Sequence, residues 1–159
     1  MLRVCNNTAH TSNEHDFSKS FMYGVHQMYF LVQKHLEHAL SKTSHISFSQ
    51  FMILVGFQCS ESEGVSQSRI AEYLHLTEAT VSRHVSTLVD IGLLSRHEDK
   101  ANRRKHIIQI TSKGKKAFTV AQNIIDKELH DIFAVIKEKD RAGITKNFEA
   151  VLATLLTKK

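Results

Sequence analysis

GVSQSRIAEYLHLTEATVSRHVSTLVDIGLLSRHEDKANRRKHIIQIT, residues 64–111, holds two short helical patterns about four residues apart, followed by an alternating strand pair with an arginine-rich tip. That order is how a helix-turn-helix with a wing is written. In residues 67–74, Ile70, Ala71 and Leu74 fall on one helical face, while Gln67, Arg69 and Glu72 stay outside it. Ser66 is a candidate N-cap, and Ala71 places a small side chain where two helices must approach closely. The joint His75-Leu76-Thr77 needs a residue that tolerates positive φ. His75 stands there in place of glycine, and histidine is among the few other residues enriched in that region.

The second pattern opens on Thr77, a good N-cap, with Glu78 in the first turn where the helix dipole favours an acid. Val81, Val85 and Leu88 form its apolar stripe, and Ile91 closes the stripe before Gly92, a natural C-terminal stop. At 100° per residue the opposite face carries Ala79, Ser82, Arg83 and Ser86, flanked by Thr80, Thr87 and Asp90. Small, polar and cationic groups let a helix enter a major groove, where Arg83 can donate two hydrogen bonds to guanine. A solvated helix face has the same pattern, so the helix alone leaves both readings open.

The following segment separates them. Between Ser95 and Lys116 stand eight lysines or arginines against two acids, a local balance of +6 in a chain whose total is +5. The basic character is therefore one patch, set directly after the candidate recognition helix, as expected of a nucleic-acid binder. Ile108 and Ile110 alternate with Gln109 and Thr111, and residues 99–102 are turn-prone, so the patch sits on a hairpin whose tip carries Arg103, Arg104 and Lys105. An arginine on a narrow projection suits a minor groove.

The stretch from Ile70 through Gly114 resembles the winged helix-turn-helix of the MarR family of bacterial transcriptional regulators. The matching residues are Leu74-x-Leu76, Thr80-Val81-Ser82-Arg83, Leu88, Gly92-Leu93-Leu94, Arg96-x-x-Asp99-x-x-Asn102-Arg103-Arg104 and Ile110-Thr111-x-Lys113-Gly114. Two positions depart from the family pattern: His75 replaces the usual glycine of the turn, and Asn102 stands where an aspartate is common. The resemblance implies a mainly α fold with a small β-wing, and a winged helix-turn-helix with N- and C-terminal dimerisation helices. It also implies that Thr77, Ala79, Thr80, Ser82, Arg83 and Ser86 meet double-stranded DNA together with Arg103, Arg104 and Lys105, Arg104 entering the minor groove.

The flanks extend this picture. Residues 1–16 are polar and aperiodic, and read as a flexible N-terminal arm. Residues 17–46 read as a dimerisation helix, in which Phe21, Val25, Met28, Val32, Leu36 and Ala39 follow helical spacing. Residues 47–112 make the winged DNA-binding domain, opening on a segment, SFSQFMILVGFQC, with almost no polar face. Residues 113–159 form C-terminal dimerisation helices, one striped by Ala121, Ile125, Ile132 and Ile136, the next by Ile144, Phe148, Val151, Leu152 and Leu155. Surplus apolar surface at both chain ends suggests a homodimer, which a reader of palindromic half-sites requires. The resemblance leaves room for a small-molecule effector in a cleft lined by Tyr23, His26, Phe51, Met52 and Val55; ordinary core packing explains the same residues.

Other function classes find little in the chain. No glycine-rich phosphate loop, nucleophile motif or carboxylate pair beside the patch suggests an enzyme or a cofactor. His35 and His38 are one turn apart and His45 follows, without the cysteines or carboxylates that complete a metal site. No apolar run approaches a membrane span or a secretory signal, and two cysteines argue against a disulfide framework, so a cytoplasmic location is expected. Two alternatives stay open: a winged domain that meets an acidic protein partner, and a redox-responsive regulator using Cys5 or Cys59.

Overall fold

The computed structural model describes residues 14–44, 46–58, 65–98 and 106–157. In chain order these form α1 (Glu14–Thr43), α2 (Phe48–Gln58), α3 (Gln67–Tyr73), α4 (Glu78–Asp90), β1 (Leu94–Glu98), β2 (His106–Ile110), α5 (Ser112–Phe133) and α6 (Glu138–Thr157). The fold is mainly helical with one small antiparallel sheet, as expected.

Helix α2 is the centre of the core. Phe51, Ile53, Leu54 and Phe57 are buried, as the almost uniformly apolar segment predicts. Its start is held by a reciprocal box: the Ser47 hydroxyl accepts from the Gln50 N–H at 3.1 Å, and the Gln50 side-chain oxygen accepts from the Ser47 N–H at 2.9 Å. Glu37 reaches over from α1, and its carboxylate accepts from the Phe48 N–H at 2.6 Å, placing an acid at the positive end of α2.

Around α2 pack Leu36 and Leu40 of α1, Ile70 of α3, the Val81, Val85 and Leu88 stripe of α4, Ile108 of β2, and Ala121 and Ile125 of α5. Each of the larger aliphatic side chains in that set, fully withdrawn from water, contributes about 1.5–3 kcal/mol. Strands β1 and β2 pair from Leu94 opposite Ile110 to Glu98 opposite His106. Val65 bridges Ile108 through two 3.2 Å backbone bonds, tying the segment before α3 to the root of the hairpin.

The joint between α3 and α4 forms as its residues require. The Ser66 and Thr77 hydroxyls cap the two helices, accepting from the N–H groups of Arg69 and Thr80. At the other end of α3 the His75 N–H donates to the Glu72 carbonyl at 3.2 Å and the Leu76 N–H to the Ala71 carbonyl at 2.9 Å, with His75 at φ +52°. Helix α4 ends in the same Schellman pattern: Gly92, at φ +75°, donates to Val89 and Leu93 donates to Leu88. One of these left-handed positions thus has glycine and the other does not. His75→Gly should raise stability by about 0.5–1 kcal/mol, the relieved strain exceeding the added freedom of the unfolded chain. A urea midpoint that stays put or falls would contradict this.

The chain ends differ from the expected boundaries. Helix α1 starts at Glu14, inside the residues assigned to the arm, and only its second half meets the core; Phe17, Met22, Tyr23 and Tyr29 are each more than 60% exposed. Helix α5 stops at Phe133, so Ile136, read as continuing its stripe, lies in the turn before α6. No glycine or proline marks that stop; the Arg141 guanidinium donates to the Ile136 carbonyl at 3.1 Å and holds the turn. Helix α6 buries no residue. It leans on α1 where Phe148 meets Phe21, ring centroids 6.2 Å apart, leaving an apolar cavity of about 740 Å³ between them.

Candidate nucleic-acid interface

Helix α4 is anchored by its apolar stripe and presents the opposite face outward. Arg83 stands at the centre of that face, with Ala79 and Ser86 exposed beside it and Ser82 half-buried at its edge. The side chain of Arg83 makes no ion pair with a described residue, so its guanidinium donors stay available. The hydroxyls differ in how free they are. Thr77 and Thr80 share a 2.8 Å hydrogen bond and Thr80 also gives its N–H to the cap, whereas Thr87 donates back to the Arg83 carbonyl at 3.2 Å. Ser82 and Ser86 make no side-chain hydrogen bond with a described residue.

His84, next to Arg83 and half-buried, was not singled out by the sequence pattern. Burial first, and the Arg83 charge second, hold its pKa below the ordinary histidine range. It is therefore neutral at neutral pH and adds no charge to α4. Because the unfolded chain takes up this proton more readily, the folded state loses stability as pH falls through the ordinary histidine range.

The far end of α4 is locked to the wing and to α5 by Thr111, Lys113 and Gly114, in contacts that the sequence reading did not foresee. Thr111 caps α5 by accepting from the Gly114 N–H at 2.9 Å, and its hydroxyl donates to the Gly92 carbonyl at 2.8 Å; its N–H donates to the Leu93 carbonyl at 3.0 Å. The Lys113 ammonium donates to the Ile91 carbonyl at 2.7 Å, a cation at the negative end of α4. Gly114 is buried against the same turn. The legible signal was Thr111 just ahead of a helical pattern; its reach back to α4 spans 19 residues and is a tertiary contact.

Arg96 is exposed on β1, and Lys115 and Lys116 are exposed on the first turns of α5. Arg103, Arg104 and Lys105 at the tip, together with Asn102, Cys5, Cys59 and His45, lie outside the described residues. Among the described residues no group of three or more histidines, cysteines or carboxylates is placed to hold a metal ion. His35 is instead hydrogen-bonded to Glu128 of α5 at 2.7 Å, which lowers the Glu128 carboxyl from its usual value and ties α1 to α5. Among the described residues no helix is long and apolar enough to cross a membrane.

The five residues proposed to line an effector cleft have different surroundings in the chain. Tyr23 and His26 sit on the uncovered half of α1, while Phe51 is buried with its ring stacked on Phe118 at 5.3 Å. Met52 and Val55 pack against the core. Phe51 is thus taken up by core packing, and the cavities of about 740, 470 and 320 Å³ have other walls.

Comparison with known proteins follows the same lines. Residues 46–106 match the family model of the MarR family. The chain is 30% identical over 105 residues to the HTH-type transcriptional regulator PrsX of Escherichia coli; the match spans 59% of this chain and 63% of that regulator, so the chain covers less than two thirds of its relative. Among solved structures, a MarR transcriptional regulator from Methanosarcina mazei Go1 superposes with a TM-score of 0.78 at 23% identity, over 89% of this chain and 99% of that one. MepR of S. aureus, solved as a DNA complex, superposes with a TM-score of 0.77 at 21% identity, over 84% of this chain and 97% of that one. At such identities the superpositions speak for the fold.

Proposed function

We propose, from the premise that this is a MarR-family chain with its family domain at residues 46–106, that it is a transcriptional regulator that binds DNA in a sequence-specific manner. One observation carries the reading: the outward face of α4, small apart from Arg83, is held beside the wing strands and the basic first turns of α5 by the Thr111 and Lys113 contacts. A helix so presented fits a major groove, and the local excess of lysine and arginine supplies the phosphate contacts. In this reading Thr77, Ala79, Thr80, Ser82, Arg83 and Ser86 face the groove and Arg103, Arg104 and Lys105 lie along the flanking backbone and minor groove. That MepR has been solved on DNA supports it by analogy of fold.

The same reading includes a homodimer built from the uncovered faces of α1 and α6, a palindromic operator with half-sites about 34 Å apart, and repression by occlusion of the promoter. Selection of bound duplexes from a random pool at physiological salt tests it. The expected result is enrichment of an inverted repeat. Absence of any enriched sequence would overturn the function, and an enriched site without two-fold symmetry would overturn the dimeric arrangement.

A further inference from the structure

We propose that Ala79 of α4 reads the 5-methyl group of a thymine within two base pairs of the guanine contacted by Arg83; the inference rests on the DNA-binding reading above and deepens it. At about 100° per residue Ala79, Arg83, Ser86 and Asp90 follow one another along the outermost line of α4, and all four are exposed. With a rise of about 1.5 Å per residue, Ala79 precedes Arg83 by roughly 6 Å, close to two base steps of about 3.4 Å. Asp90 stands at the far end, where a carboxylate repels the phosphate strands. The base-reading part of α4 is therefore its N-terminal half, the part that groove-bound recognition helices use.

The order of chemistry along that line is a methyl, a guanidinium and a hydroxyl. A methyl group offers no hydrogen bond. Set against the major-groove edge of guanine, adenine or cytosine it strips water from a polar atom and returns nothing, whereas thymine presents a methyl of its own there. The neighbouring apolar groups are less well placed. Thr80 is half-buried, with its hydroxyl and its N–H both engaged by the Thr77 hydroxyl at 2.8 and 3.2 Å. Leu76 is 41% exposed but stands in the joint ahead of the Thr77 cap. Ala79 has neither constraint. It lies inside a helix held by that cap and by the buried Val81, Val85 and Leu88, and its Cβ has no side-chain freedom to lose on contact.

Replacing that thymine by deoxyuridine in one half-site of the selected duplex removes the methyl and nothing else. Affinity of the full chain should fall about fourfold, the worth of one buried methyl-sized group. Ala79→Gly should bind the thymine duplex about fourfold more weakly than the wild type does, and should bind thymine and uracil duplexes equally, the signature of a pairwise contact in a double-mutant cycle. Each thymine-to-uracil ratio is taken within one protein, so a partly unfolded variant does not change it. Ala79→Ser, which keeps the helix start intact and puts a hydroxyl on the contact, should bring the ratio below about twofold. A ratio of one in the wild type would overturn the proposal. So would a fourfold ratio kept by both variants, which would move the methyl contact to Thr80 or Leu76. The guanine is located as the position where Arg83→Ala loses its preference; a selected site with no thymine within two base pairs of it would overturn the contact and leave the DNA reading standing. A chain that selects no duplex overturns that reading and this contact together.

Discussion

Gly114→Ala should destabilise the chain by about 3 kcal/mol, at the upper end of what overpacking a close contact costs. Helix propensity alone predicts the opposite, since alanine in a helix is worth about 1 kcal/mol more than glycine. The geometry decides between them. A Cβ at this position would stand 2.1 Å from the Leu93 carbonyl oxygen, 3.0 Å from its carbon and 2.8 Å from Cγ1 of Ile110. Two of those three neighbours are backbone, and the Leu93 oxygen already accepts from the Thr111 N–H and lies 3.2 Å from the Thr111 hydroxyl. It cannot move without opening the contact that fixes the end of α4. Thermal and urea unfolding at fixed protein concentration should show a melting temperature lower by about 6–12 °C. An equally or more stable variant would mean that α5 does not approach the turn after α4 as described.

Arg83→Ala has the larger expected effect on DNA binding. A bidentate arginine on guanine is worth about 1–3 kcal/mol of discrimination, so the variant should lose that much on its selected duplex and become indifferent to base identity at one position per half-site. Lys105→Ala, argued as a phosphate contact, should instead weaken selected and random duplexes by similar factors and flatten the salt dependence. Titrations of both variants on both duplexes at two salt concentrations separate the roles. If the two variants change specific and random binding alike, Arg83 does not read a base.

Much of the helix-turn-helix was legible because its signals are local. Ser66 and Thr77 cap helices in any surroundings, the Val81, Val85 and Leu88 spacing selects a buried face on α4, and a joint of that length needs a left-handed residue, which His75 supplies. What escaped the sequence depends on residues far apart in the chain. Glu37 caps a helix eleven residues away, Thr111 reaches back to Gly92, and the α5 to α6 break is held by an arginine bond with no glycine or proline to announce it. The effector set shows the same limit from the other side. Periodicity places Phe51 on an apolar face but does not say whether that face meets a ligand or Phe118.

Helix α5 runs unbroken for 22 residues from the Thr111 cap to Phe133, a rod of roughly 33 Å. One end grips the last turn of α4, and the other lies beside α6, which buries no residue of its own. Pivoting such a rod by about five degrees sweeps its tip through about 3 Å, close to the 3.4 Å step from one base to the next along a DNA strand. On the proposed reading, mechanical leverage of this size means that a repacking too slight to change any helix, at the end remote from α4, suffices to slide α4 out of register with a bound duplex.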